Sequence, residues 1–224
     1  MHVLKTHIQG NSLVGLYVVP MADFIIVGPE TPEQLDKDLE EIFKAKVIRT
    51  TIVGTSLVGM FLATNGSHLI VPHLIFDHEE AVLKENNIPY TKIDSTLTCH
   101  GNNVVANSNA AIINPEYEET AAKQIQAAFG TDVYPGTISN VPSIGSLIVA
   151  NDTHGLISHE VTDEEFDLIK EQLGIELDAG TVNMGSVNIH SGIAVNNDGF
   201  IIGDQSGGPE LMNADETLGF LDRG

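Results

Sequence analysis

Cys99 and His100 stand side by side, and a thiol near an imidazole is the pairing from which a cysteine nucleophile is made. Adjacent residues on a strand point to opposite faces, however, which keeps base and nucleophile apart. Cys99 therefore reads as a small buried side chain. It is the only cysteine, so no internal disulfide can form and a reducing compartment is expected. Among the histidines, His68, His73 and His78 lie close in sequence, and His68 and His154 hold equivalent places in two repeats. A metal needs three or four converging ligands, and repeat symmetry separates these two, so no metal site is expected. The run Gly203-Asp204-Gln205-Ser206-Gly207-Gly208-Pro209 is glycine-rich but has no Lys and ends in Pro, which reads as a loop and not a phosphate cradle. Asn65-Gly66-Ser67 and Asn151-Asp152-Thr153 match the glycosylation pattern, which a protein inside the cell would not use. Neither catalytic residues nor a cofactor are expected.

The elements that position these residues must come from 224 residues with 42% hydrophobic content and no Trp, so the core has to be mainly aliphatic. Ten Lys and Arg stand against 31 Asp and Glu, a net charge of -21. So few cations make a basic groove hard to build, and direct DNA binding is not expected. An acidic surface suits basic partners or a salty cytoplasm, and charge alone leaves both open. The opening Met1-His2-Val3-Leu4-Lys5 lacks the basic and apolar regions of a signal peptide, and no apolar run approaches the roughly 20 residues that span a bilayer. A cytoplasmic protein is expected.

Internal repetition decides the fold. Val3-Leu4-Lys5-Thr6-His7-Ile8-Gln9-Gly10-Asn11-Ser12-Leu13-Val14-Gly15 returns as Val47-Ile48-Arg49-Thr50-Thr51-Ile52-Val53-Gly54-Thr55-Ser56-Leu57-Val58-Gly59, identical at eight of thirteen positions. The final glycine recurs at Gly101 and Gly145, and Ser191-Gly192 takes its place in a fifth copy. Asn65, Asn107, Asn151 and Asn196 mark a turn at spacings of 42, 44 and 45, and Gly136-Thr137-Ile138 matches Gly180-Thr181-Val182. Each unit reads as a strand after the glycine (Leu147-Ile148-Val149), an Asn or Gly turn, a second strand (Leu156-Ile157), a helix and a third strand, such as Lys46 to Ile52 or Ala179 to Val182. Thr31-Pro32-Glu33-Gln34 and Thr162-Asp163-Glu164-Glu165 predict capping boxes, Gly130 and Gly174 predict C-caps, and a last helix is expected near Leu211–Leu221.

The sequence thus predicts an α/β domain over 1–224, five ββαβ repeats at approximately 10–52, 53–94, 95–138, 139–182 and 183–224. Residues 3–8 match a unit's last strand but lack the helix before it, and the fifth unit lacks that strand. Residues 2–9 are therefore expected to complete the fifth unit and close a ring with pseudo-fivefold symmetry, leaving no free sheet edge.

Five ββαβ units in a ring resemble the pentein fold. Within it the chain resembles the archaeal translation initiation factor 6 family, through Gly54 with Gly59, Leu69-Ile70-Val71-Pro72, Gly101-Asn102-Asn103-Val104, Val133-Tyr134, Ala179-Gly180-Thr181-Val182-Asn183-Met184-Gly185-Ser186 and Ala194-Val195-Asn196-Asn197. The resemblance implies a monomeric, non-enzymatic factor that sits on the joining face of the large (50S) ribosomal subunit, near a basic ribosomal protein, and keeps the small (30S) subunit away. Penteins also include hydrolases of guanidino groups, which carry a late cysteine nucleophile. The fifth unit has no cysteine, which disfavours that alternative; an acidic scaffold is a third class. Repetition should bring Leu16, Met60, Asn102, Ser146 and Leu147 to one face near the axis, with Asn188 beside them. Met60, Asn102, Leu147 and Asn188 are the expected ribosome contacts, since interface cores are depleted in charge.

Overall fold

A computed structural model describes residues 1–221. Short aliphatic runs bounded by Asn and Gly form strands, because the branched side chains pack on a pleated surface and the turn residues accept left-handed backbone. The chain opens on β1 (Val3–Thr6). The first unit holds β2 (Val18–Pro20), β3 (Phe24–Val27), helix α1 (Asp36–Phe43) and β4 (Lys46–Arg49). The second holds β5 (Ala63–Thr64), β6 (Leu69–Pro72), α2 (Asp77–Glu85) and β7 (Tyr90–Ile93). The third holds β8 (Val104–Ala106), β9 (Ala110–Ile113), α3 (Glu119–Phe129) and β10 (Asp132–Pro135). The fourth holds β11 (Ile148–Ala150), β12 (His154–Ser158), α4 (Asp163–Leu173) and β13 (Glu176–Gly180). The fifth holds β14 (Ile193–Val195), β15 (Phe200–Gly203) and α5 (Gly208–Thr217).

Every unit is a three-stranded sheet whose first two strands are antiparallel and whose third lies parallel to the second. In the fifth unit the third strand is β1, in parallel register with β15 from Val3 opposite Phe200 to Thr6 opposite Gly203. Five aliphatic clusters lie between successive units. One joins the fifth unit to the first, with Ala194 and Ile201 packed among Val18, Ile25, Leu39 and Phe43.

The recurrent asparagines hold the units together. Their side-chain carbonyls accept from the turn amides, and each Nδ2 donates to the helix-end carbonyl of the following unit. Asn65 reaches Phe129 at 3.2 Å, Asn107 reaches Leu173 at 3.1 Å, and Asn151 reaches Leu218 at 3.1 Å. Asn196 of the fifth unit reaches Phe43 of the first at 2.9 Å. Helix-end carbonyls have no partner inside the helix, so a buried one needs such a donor.

Some elements differ from the expectation. Thr162 makes its capping box with Glu165, and Gly130 and Gly174 cap their helices at φ of 69° and 64°. Thr31 makes none, because Pro32 is extended and the chain enters α1 through a 3-10 turn, Glu33–Leu35. The Thr31 hydroxyl is buried without a partner in the described structure. Strand β4 stops at Arg49, and Val182 lies beyond β13, because Ile52 and Val182 bridge back across tight turns to Thr55 and Ser186. The last helix starts earlier than expected, at Gly208, with Pro209 in its first turn. The final three residues of the expected fifth unit, 222–224, lie outside the described residues.

Candidate functional site: the turn face

Between each exit turn and the next unit's first strand runs a single helical turn: Val14–Leu16, Val58–Phe61, His100–Asn103, Ile144–Ser146 and Ile189–Gly192. The repeat glycine is its second residue at Gly15, Gly59, Gly101 and Gly145. A Cβ at Gly59 would collide with the Gly15 carbonyl, and one at Gly101 with the Gly59 carbonyl. Close backbone approach between successive helical turns therefore demands glycine. In the fifth unit the equivalent residue is His190 and not Gly192, a correction to the expected repeat. The His190 carbonyl abuts Gly15, and its largely buried imidazole, with Nδ1 unpartnered among the described residues, has its pKa pushed down to about 4 by desolvation.

The exit turns use left-handed backbone at Gln9–Gly10, Val53–Gly54, Ser139–Asn140 and Asn183–Met184–Gly185. Three are clasped by a glutamate from the following helix. Glu79 accepts from Val53 N at 2.8 Å, Gly54 N at 2.8 Å and Thr51 Oγ1 at 2.6 Å. Glu165 accepts from Ser139 N at 2.8 Å, and Glu210 from Met184 N at 3.1 Å and Gly185 N at 2.8 Å. Burial raises the pKa of each, but the hydrogen bonds together outweigh it and all three are lowered. In the third unit Glu118 accepts from Ser95 Oγ at 2.6 Å and Thr96 Oγ1 at 2.7 Å, which lowers it to about 2. Sequence reasoning missed these clasps. A glutamate 26 residues after the bonded turn amide is their signal.

Of the expected contact residues, Met60 and Asn102 are half-buried in their helical turns and Asn188 is exposed at the start of its own. Leu147 is the correction: at 4% exposure it belongs to the core between the third and fourth units. Ser146, which follows the repeat glycine directly, is the equivalent of Met60 and Asn102, whereas Leu147 is the second residue after it and is buried like Tyr17 and Asn103 at the same place. Cys99 is also not the buried residue expected. It is half-buried just before its helical turn, at the place Asn188 holds in the fifth unit. His100 turns inward instead, with Nδ1 2.6 Å from the Tyr117 hydroxyl. Burial, chiefly, and then the neighbouring His73 push the His100 pKa down to about 4, while burial raises the Cys99 thiol. That is the reverse of an activated nucleophile.

Four large apolar side chains missed in the sequence lie exposed on the loops of this face: Leu74, Phe76 (whose ring covers Gly54), Val141 and Met184. Met184, at φ 65° and 82% exposed, leaves more of itself in solvent than any other large apolar side chain described. A bulky residue inside the Val182-Asn183-Met184-Gly185 turn was the available signal. None of the described Lys or Arg residues lies in the exit turns or the helical turns. No group of three or more described His, Cys, Asp or Glu residues is arranged to hold a metal ion. No helix among the described residues is long and apolar enough to cross a membrane.

Five three-stranded sheets of this topology define a pentein-type protein. The chain superposes on an amidinotransferase from Microseira wollei, of a saxitoxin biosynthetic pathway, with a TM-score of 0.50 at 9% identity, covering 81% of this chain and 63% of that one. Identity that low speaks for the fold alone. Residues 3–217 match the eIF-6 family, and the chain belongs to it. It is 29% identical to Translation initiation factor 6 of Pyrobaculum aerophilum over 217 residues, 97% of this chain and 99% of that protein. It is 31% identical to Translation initiation factor 6 of Thermococcus onnurineus over 228 residues, 99% of this chain and all of that one. Membership makes it a translation initiation factor of the archaeal type.

Proposed function

We propose that this factor, acting as a monomer in the cytoplasm, binds the large ribosomal subunit through its turn face and blocks the small subunit sterically. The observation that carries the reading is the character of that face: exposed apolar side chains, polar asparagines and helical turns without a Lys or Arg. A face with exposed apolar side chains and no Lys or Arg in its turns, on a chain of net charge -21, suits a protein surface with a basic rim better than bare phosphate. Met60, Asn102 and Asn188 remain the proposed contacts, joined by Phe76 and Met184. Steric exclusion needs no chemistry, which agrees with the deactivated Cys99.

Co-sedimentation with purified archaeal subunits tests this. The protein should pellet with large subunits and not with small ones, and should reduce joined particles in a sucrose gradient. Equal pelleting with both subunits, or with neither, would overturn the proposal.

A further inference from the structure

Met184 sits in the turn that joins the fourth and fifth units, and beyond the glutamate clasp that turn carries an anchor to the segment leading into the first. Asn183 N donates to Ser206 Oγ at 2.9 Å, and Asn183 Nδ2 donates to the Ser12 carbonyl at 2.9 Å. Ser12 Oγ donates to Asp204 Oδ1 at 2.7 Å, and Asp204 Oδ2 lies 2.9 Å from His7 Nδ1. His7 follows β1 directly, so hydrogen bonds run from the closing strand to the residue before Met184. Ser12 and Ser206 are buried, and a Cβ at Gly203 would strike both the Ser12 carbonyl and the Asn183 amide, so the Asn183 side chain is caged. The turns at Val53 and Ser139 have the clasp but no bond of this kind to the closing strand.

We infer that His7 and Asp204 are positioning residues for docking: the β1 seam fixes, through Ser12 and Asn183, the turn that presents Met184 to the ribosomal partner. This rests on the docking reading above. A Met side chain gains binding energy only when it is held where its partner's pocket lies, and an exposed left-handed turn does not hold itself. Loosening the seam leaves the sheets intact but lets the Met184 turn sample other conformations, and docking weakens with it.

A double-mutant cycle on the full chain separates positioning from general destabilisation. Large-subunit binding would be measured for Met184→Ser, Asp204→Ala and the pair, with the thermal midpoint of each. Met184→Ser should weaken binding about tenfold, Asp204→Ala about fivefold, and the pair no more than Met184→Ser alone. His7→Ala repeats the cycle at an exposed position should Asp204→Ala fold poorly. Additive losses, or seam variants that bind like the parent, would overturn the inference while leaving the docking proposal standing. Failure of Met184→Ser to weaken an otherwise intact interaction would also overturn it. Absence of binding by the parent chain would instead sink the docking proposal itself.

Discussion

Glu79 offers the sharpest test of how the turn face is built. Its side chain is 0% exposed and its carboxylate accepts four hydrogen bonds, from Thr51, Val53, Gly54 and Phe76, at 2.6–2.9 Å. Three of the donors are backbone amides: Val53 and Gly54 belong to the left-handed turn, at φ 53° and 74°, and Phe76 is the N-cap of the glutamate's own helix. Glu79→Ala orphans all four. Each buried donor left unmade costs about 1–3 kcal/mol, and water entering the vacated space rescues part of that, so a loss of about 4 kcal/mol is expected. For a chain of this length the thermal midpoint should fall by roughly 10 °C. Glu79→Gln keeps the shape but turns an N–H donor toward donors, and should lie between parent and Ala. The acid limb gives the second readout. Burial raises the Glu79 pKa, but the four bonds outweigh it and the folded-state value is lowered. Such a group contributes stability above its unfolded pKa of about 4.3 and loses it as pH falls through the folded value. The parent should therefore lose stability more steeply below about pH 4 than Glu79→Gln does. A midpoint for Glu79→Ala within about 2 °C of the parent would refute the reasoning.

Deleting residues 1–8 should leave β15 without its parallel partner and remove the fully buried Ile8. Loss of cooperative unfolding, or self-association through the open edge, is expected in calorimetry and gel filtration; an unchanged monomeric transition would count against a closed ring. Cys99→Ala should keep large-subunit binding at a cost on the order of 1 kcal/mol in a urea titration. Asn102→Glu should weaken co-sedimentation tenfold or more with little change in midpoint, since a charge there must be desolvated without a partner. Leu147→Glu should do the opposite and unfold the chain before binding can be judged, because its side chain is enclosed in the core. Glu40→Ala and Lys170→Ala, on α1 and α4, should leave binding unchanged; weaker binding from these would move the interface to the rim.

Repetition made the five sheets legible, because strands and Asn turns recur with side chains of constant character. The fourth unit followed the reading closely, its helix bounded by Thr162 and Gly174 as the residues dictate. Most of what escaped had no local signature. A helical turn of three or four residues shows no periodicity, so its effect on the facing of Leu147 was invisible. His190 was hidden by Gly192, which lies two residues on and imitates the missing repeat glycine. The glutamate clasps join residues far apart in sequence that only the returning helix brings together. The docking face was legible as a set of helical turns but not as a surface, since exposure at Met184 depends on how its turn is held.

The partnership of β1 with β15 also sets the order in which this protein can be finished. Val3 pairs with Phe200, which is synthesised four units later. Until then the strand has no sheet to join, and the cluster around Val18 and Leu39 waits for Ala194 and Ile201. The entropy of closing so long a loop falls on this pairing. A nascent chain of four units would still carry an open seam, which only the strands of the fifth unit can fill.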